Sequence, residues 1–438
     1  MPPSLTLNAG DYRRHMERAA RNRPAKSGWL LVLLVAGAAL VVAVFTAWAM
    51  APRSSIEPVG VDPAQWFSAG MLDRAEAFRS GQRWLYLAQI GVQFSFLLAL
   101  SAGPLAGRVS AMIERPRTHP ALVGLVVSAM ILSALQLIAL PFSLVGHERS
   151  VDVGLSTQDL GAWSLDWLLA SSIFVVVGSL LLSGALWLGR RLADRWWIAG
   201  SVAVVAFAVL VTWAAPALIT PLFNDYDPLE PGPARDDVTE LAEAAGVDIG
   251  GVYRVDASKR TTGLNAFVDG IGSTKRVVLY DTLIDGLPAD QRRSVIAHEL
   301  AHAERSDLWR GLLWVAAVTP LAVLFVSVFS VRIQPGGSRS RGLPVSLPAL
   351  VLAIGIALTA IQTVGNGLSR AVEREADLRA LELTDEPRAL IGLQRRLAQS
   401  NLSQPDPPGW SQFLFGTHPT ADERIGLGLA WERGERRK

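Results

Sequence analysis

Seven stretches of this chain are each long and apolar enough to cross a lipid bilayer as a helix, and nothing else in it constrains the fold so tightly. They run Trp29–Met50, Tyr86–Ala106, Ala121–Val145, Leu168–Leu188, Trp197–Leu218, Gly311–Val331 and Leu347–Gly367. A hydrocarbon core about 30 Å thick takes roughly 20 residues of helix. Inside it only helices and closed barrels satisfy their own backbone polar groups. One such stretch could be a buried helix of a large soluble protein; seven, most of them without a charge, read as a polytopic membrane protein. The composition agrees, with 50% hydrophobic and only 18% charged residues among 438.

The first stretch follows a basic segment carrying Arg13, Arg14, Arg18, Arg21, Arg23 and Lys26. It ends in Ala47-Trp48-Ala49, which resembles a signal-peptidase site. Its apolar run exceeds the 7–15 residues usual for a signal peptide, so it reads as an uncleaved anchor.

The membrane stretches divide the chain into a basic tail (1–27), five membrane helices (28–219), a polar region (220–310), two more helices (311–367) and a second polar region (368–438). Two crossings between the polar regions return the chain to one side, so both can build a single domain. Arg332–Arg341, with its Pro-Gly-Gly-Ser run, reads as a flexible turn on the opposite face. In the first polar region Asp236–Ala245 predicts a helix. Val252–Val255 and Arg276–Tyr280 predict short strands separated by a loop rich in Gly, Ser and Thr. Asp290–Arg305 predicts a helix that runs almost directly into the sixth membrane helix. The expected fold is mainly α: about seven transmembrane helices and a zincin-like catalytic domain with a few short strands.

His298-Glu299-Leu300-Ala301-His302 lies on that helix. Residues four apart share a helical face, so both imidazoles can reach one metal ion, with Glu299 between them as general base. The chain has no cysteine, so any zinc must be held by nitrogen and oxygen. Two histidines leave a catalytic zinc one protein ligand short. Glu373 is the candidate, brought to the same membrane face by the returning seventh helix. Asp377, one turn on, can accept the free N–H of a ligand histidine and fix its tautomer. Taken alone, this Glu- and Asp-rich stretch would be a solvated helix face with local Arg–Glu pairs. Glu375 lies nearly opposite Glu373 on a helix. His418 could stabilise an oxyanion; the residues alone leave that open. His15, His119 and His147 read as tail or interfacial residues.

A net charge of +2 gives no reason to invoke nucleic acid. Only four of the 41 basic residues are lysine, which suggests a GC-rich bacterial genome.

These residues resemble the type I CAAX prenyl endopeptidases, integral-membrane zinc metallopeptidases with seven membrane helices. The resemblance is carried by Pro221-Leu222-Phe223-Asn224, Ser258-Lys259-Arg260, Asn265-Ala266-Phe267, Val278-Leu279-Tyr280-Asp281-Thr282-Leu283 and the zinc motif. Ser369-Arg370 with Glu373 and Asp377, and His418-Pro419 with Arg424, complete it; Gly154–Asp166 matches more loosely. It implies one zinc ion per chain on His298, His302 and Glu373. Glu299 and His418 would be catalytic, Asp377 would support a ligand, and Asn265, Ala266, Phe267 and Arg424 would bind substrate. Asn265 and its neighbours would take the substrate backbone as an added strand. The implied partners are the lipid bilayer and a peptide or protein substrate, lipid-modified or not, and the implied place is the cell membrane.

A rival from another class is an inactive membrane scaffold or transport component that kept the fold. Intact His298, Glu299, His302 and Glu373 argue against it. Sidedness is contested. Arg108, Arg115, Arg117, Arg190, Arg191, Arg195, Arg332, Arg339 and Arg341 lie in short loops on the side of the N-terminal tail, against Arg149 in the loop holding His147. The positive-inside rule puts that tail in the cytoplasm and the catalytic domain outside; the resemblance implies a catalytic domain facing the cytosol.

Overall fold

The computed structural model describes residues 26–54, 56–102, 120–270, 275–334 and 337–435. The basic tail with His15, the loop with Arg108, Arg115, Arg117 and His119, and the side chain of Arg339 lie outside the described residues.

Among the described residues seven helices are of membrane length: α1 (Lys26–Met50), α2 (Ala69–Ala102), α3 (Pro120–Asp152), α4 (Leu160–Leu192), α5 (Trp196–Leu218), α9 (Asp307–Ile333) and α10 (Leu347–Thr384). Helices α4 and α5 form one apolar segment, Leu160–Leu222, broken by a short 3-10 turn at Ala193–Arg195. Most helices run well past their apolar cores. Helix α2 begins at Ala69 rather than near Tyr86, and α10 continues to Thr384. Hydropathy registers only the lipid-embedded part, whereas the hydrogen-bonded spiral has no reason to stop at the bilayer surface.

The bundle is inside-out relative to a soluble protein. Leu33, Val41, Val202 and Trp213 are exposed, as expected of a surface whose solvent is lipid. Its interior joins Leu97, Leu132, Leu186, Val326 and Leu350 from α2, α3, α4, α9 and α10. Helix α9 packs against α1, α5 and α10. The linker expected as a flexible turn is largely built, with 3-10 turns at Gly337–Ser340 and Pro344–Ser346. It packs on the end of α4, where Gly189 lies against Gly342 and Arg190 Nε donates to the Gly342 carbonyl (2.5 Å).

The domain outside the bundle carries β1 (Tyr226–Pro228), α6 (Pro233–Ala244), β2 (Gly251–Val255), β3 (Ala266–Asp269), β4 (Arg276–Tyr280), α7 (Asp281–Gly286) and α8 (Ala289–Glu304). After α10 it is completed by α11 (Pro387–Ser400), α12 (Gly409–Phe415) and α13 (Ala421–Glu432). The sheet order is β1-β2-β4-β3; β2 and β4 are parallel and both outer pairs antiparallel. Two strands expected from β-branched runs are there. The other two are additional: β3 lies in the stretch expected as a loop, β1 in a segment where no strand was expected, and each is short and pairs only in the tertiary fold. Helix α8 lies between the sheet and the helices, burying Ile296, Ala297, Leu300 and Ala303 among Leu279, Leu283 and Leu393.

Candidate metal centre

Helices α8 and α10 pack against each other, which sets His298 and His302 opposite Glu373. The His298 and His302 Nε2 atoms are 3.2 Å apart. Glu373 places Oε2 3.2 Å from His298 Nε2 and Oε1 3.5 Å from His302 Nε2. Among the described residues these three form a cluster able to hold a metal ion, with one donor atom of each within 4.8 Å of the others. The donor set fits a tetrahedral zinc site, in which Zn–N distances of about 2.0–2.1 Å put two nitrogens roughly 3.3 Å apart.

Each histidine has a carboxylate on its other nitrogen. His298 Nδ1 lies 2.8 Å from Asp377 Oδ1, and His302 Nδ1 lies 3.0 Å from Asp307 Oδ2. With a proton held at Nδ1 by these acceptors, each ring presents the Nε2 lone pair to the centre. Asp377 is fully buried and is gripped by Arg424, whose Nε is 2.7 Å from Oδ2 and whose Nη2 is 2.5 Å from Oδ1. Asp307 is in turn held by Arg310 at 2.6 Å.

Asp307 was not expected from the sequence. Its contact depends on the joint between α8 and α9, where Ser306 takes a left-handed conformation (φ 55°) and swings the next residue back over the preceding helix. An acidic residue just past the zinc motif, at the start of a helix, is the only linear signal.

Burial on its own would lower the basicity of His298; the Asp377 carboxylate, aided by Glu373, outweighs it and lifts its pKa to about 10. The negative field that holds a proton there also favours a divalent cation. Burial raises the pKa of Glu299, with His298 and His302 pulling the other way. A carboxylate moved toward neutrality is better matched to general-base work at physiological pH.

His418 is largely exposed and brings Nδ1 within 2.8 Å of Glu373 Oε2. Glu375 pairs with Arg305 at 3.0 Å instead of joining the cluster. Asn265 leads into β3, the edge strand, which packs against α8. Ala266 is buried in the core shared with α8, and Phe267 lies edge-on to Tyr280 at 6.5 Å on the other face. Arg424 is placed on Asp377, beside His298, rather than along that edge. His147 is buried and stacks on Trp163 at 4.9 Å, away from the cluster.

The remaining motif residues brace the domain and tie it to the bundle. Arg260 pairs with Asp166 of α4 (2.7 Å) and donates to Asn224 Oδ1 (2.9 Å), and the Ser258 hydroxyl donates to Asp281 Oδ2 (2.5 Å).

Comparison with known proteins gives the family and the fold. The family model described as Peptidase family M48 matches residues 229–427, and that of the CAAX prenyl protease N-terminal region, five membrane helices, matches 64–225. The chain is 27% identical over 378 residues to the Uncharacterized metalloprotease YhfN of Bacillus subtilis, covering 85% of this chain and 88% of that one. It is 31% identical over 310 residues to the CAAX prenyl protease 1 homolog of Arabidopsis thaliana, covering 66% of this chain and 69% of that one. The fold is similar to that in the crystal structure of S. mikatae Ste24p, with a TM-score of 0.73 and 18% identity over 92% of this chain and 100% of the other. The chain therefore belongs to the M48 metallopeptidases of the CAAX prenyl protease 1 type, and is a multi-pass membrane metalloprotease.

Proposed function

We propose that this metallopeptidase is a zinc enzyme of a bacterial cell membrane, with one ion held by His298, His302 and Glu373, and that it hydrolyses peptide bonds of membrane-associated or C-terminal peptide substrates. The observation that carries the reading is the convergence of two Nε2 atoms and one carboxylate, with a separate carboxylate on each Nδ1. When bound, such an ion polarises the scissile carbonyl and acidifies the attacking water. Glu299 takes the water's proton and passes it to the leaving amine. Asp377 and Asp307 hold the two imidazoles in the ligating tautomer, and Arg424 keeps Asp377 ionised where it is buried. His418 stabilises the developing oxyanion, and the open edge of β3 from Asn265 to Phe267 takes the substrate backbone. The long match to a Bacillus chain and the arginine-rich composition support the bacterial assignment. The names of the CAAX prenyl protease relatives support a substrate that is lipid-modified near its C-terminus.

The experiment is to compare zinc content and peptidase activity of the purified chain with those of Glu299→Gln. Zinc retained with activity reduced by about 10²–10⁴-fold is expected of a lost general base. Activity that survives the substitution would remove Glu299 from the mechanism.

A further inference from the structure

Helix α12 carries aromatic side chains on two opposite sides, and the two sides meet different media. Ser411, Gln412 and Phe415 line the cavity beside His418, together with Arg79, Arg83 and Tyr86 of α2. Trp410 and Phe413 fall on the other side of the helix, where they are 44% and 58% exposed. Trp84 of α2, 64% exposed, meets the Trp410 ring there at 6.2 Å. Three large aromatic side chains from two elements far apart in sequence thus form one patch that the protein leaves uncovered.

Two membrane helices independently put this patch at the level of the bilayer surface. On α2, Trp84 stands between Arg83 and the start of the apolar run at Tyr86. On α10 the apolar run ends near Gly367, and residues on either side of that point hold α12. Asn366 Nδ2 donates to the Leu414 carbonyl (2.8 Å), and Arg370 Nη1 donates to the carbonyls of Gln412 (3.0 Å) and Gly416 (2.6 Å). Pro405, Pro407 and Pro408 stiffen the chain that leads into the helix.

The patch also lies on the outside of the bundle. Helix α2 meets α3 through Gln93, whose Nε2 donates to the Leu135 carbonyl (3.0 Å). Trp84 comes nine residues earlier, about two and a half turns, and so points the opposite way. Beyond it Ala88, Val92 and Ser95 continue an exposed stripe, at helical spacing, along the membrane-embedded part of α2. The patch is therefore the end of a lipid-facing surface, at the depth where amphipathic aromatic rings collect. Continuity with that surface identifies its occupant as lipid rather than a protein partner.

We propose that α12 is an interfacial anchor, with Trp410, Phe413 and Trp84 seated in the headgroup and acyl boundary of the bilayer. The same short helix reaches the metal centre from its other side. Gln412 Nε2 donates to the His418 carbonyl (2.8 Å), and His418 Nδ1 lies 2.8 Å from Glu373 Oε2. The bilayer surface thereby sets the level of the His418 segment, and the outer domain is tied to the membrane at a point beyond its covalent joints to α5, α9 and α10.

The test uses the full-length chain in phosphatidylcholine vesicles. A phospholipid carrying a carbene precursor high on its acyl chain is photolysed with the wild-type protein, and the adducts are mapped by mass spectrometry. Adducts on Gly409–Phe415 are expected, as on the α2 stretch that begins at Trp84. Adducts on α2 with none on α12 overturn the proposal, and this arm needs no variant to fold. Because the chain has no cysteine, a nitroxide on Phe413→Cys reads one position alone. Its collisions with oxygen are expected to exceed those with a water-soluble nickel complex, at a depth of about 5–10 Å in the boundary. Asp290→Cys, exposed in the first turn of α8, gives the aqueous reference. Nickel collisions at Phe413→Cys equal to that reference would place α12 in water, and a label reached by neither reagent would place a protein surface over it. Either result overturns the anchor.

Discussion

Each histidine of the proposed centre is engaged at both ring nitrogens, and that double use gives the cluster of three side chains its geometry. His298 leans on Asp377, and His302 on Asp307. The convergence of His298 and His302 was legible in the sequence because i,i+4 spacing fixes both rings on one helical face regardless of context. Glu373 needed a topological argument as well, namely that the helix leaving the membrane returns beside the one that enters it. Asp307 was not legible, since its contact depends on the left-handed turn at Ser306, which no local preference announces. Outer partners of metal ligands typically contribute 10–100-fold in affinity. Asp307→Asn should therefore weaken zinc binding by about that factor in a chelator competition; unchanged affinity would show that His302 needs no orienting carboxylate.

At the scale of elements, the site is assembled by three helices from distant parts of the chain. Helix α8 supplies the motif, α10 supplies Glu373 and Asp377, and α13 supplies Arg424. Helix α13 is docked on the segment that follows α1: the Val59 N–H donates to the Gly426 carbonyl (3.1 Å), and a methyl at Gly426 would collide with the Val59 carbonyl. That approach is possible only for glycine. Gly426→Ala should lower stability by about 1–3 kcal/mol, the usual cost of overpacking, and should loosen Arg424 from Asp377. Thermal unfolding in detergent is the check, and an unshifted midpoint would mean that α13 can move without cost. Strand β3 shows why periodicity missed part of the sheet. It is four residues long, follows a loop rich in Gly, Ser and Thr, and is defined by pairing with β4 rather than by its own pattern.

At the scale of the whole molecule, the same helices serve two solvents. Helix α10 is one continuous element from Leu347 to Thr384, apolar within the bundle and carrying Glu373 and Asp377 where it leaves it. The apolar, membrane-length helices were legible because the bilayer imposes a length and a hydropathy at once; the helix ends were not, because no comparable constraint acts outside it. The arginines at Arg190, Arg191, Arg195, Arg332 and Arg341 follow the positive-inside rule if their loops are cytoplasmic. A reporter fused to the C-terminus should then be active on the outer side, and a cytoplasmic signal would overturn that orientation.

The central claim, that His298, His302 and Glu373 form one catalytic metal centre, is tested most directly by removing and restoring the metal. The purified chain is stripped with a chelator and titrated with zinc while bound metal and peptide hydrolysis are followed together. The account predicts no hydrolysis without metal, recovery in proportion to bound zinc up to one ion per chain, and neither binding nor recovery in Glu373→Ala. Hydrolysis by the metal-free protein, or full binding and activity without Glu373, would contradict it.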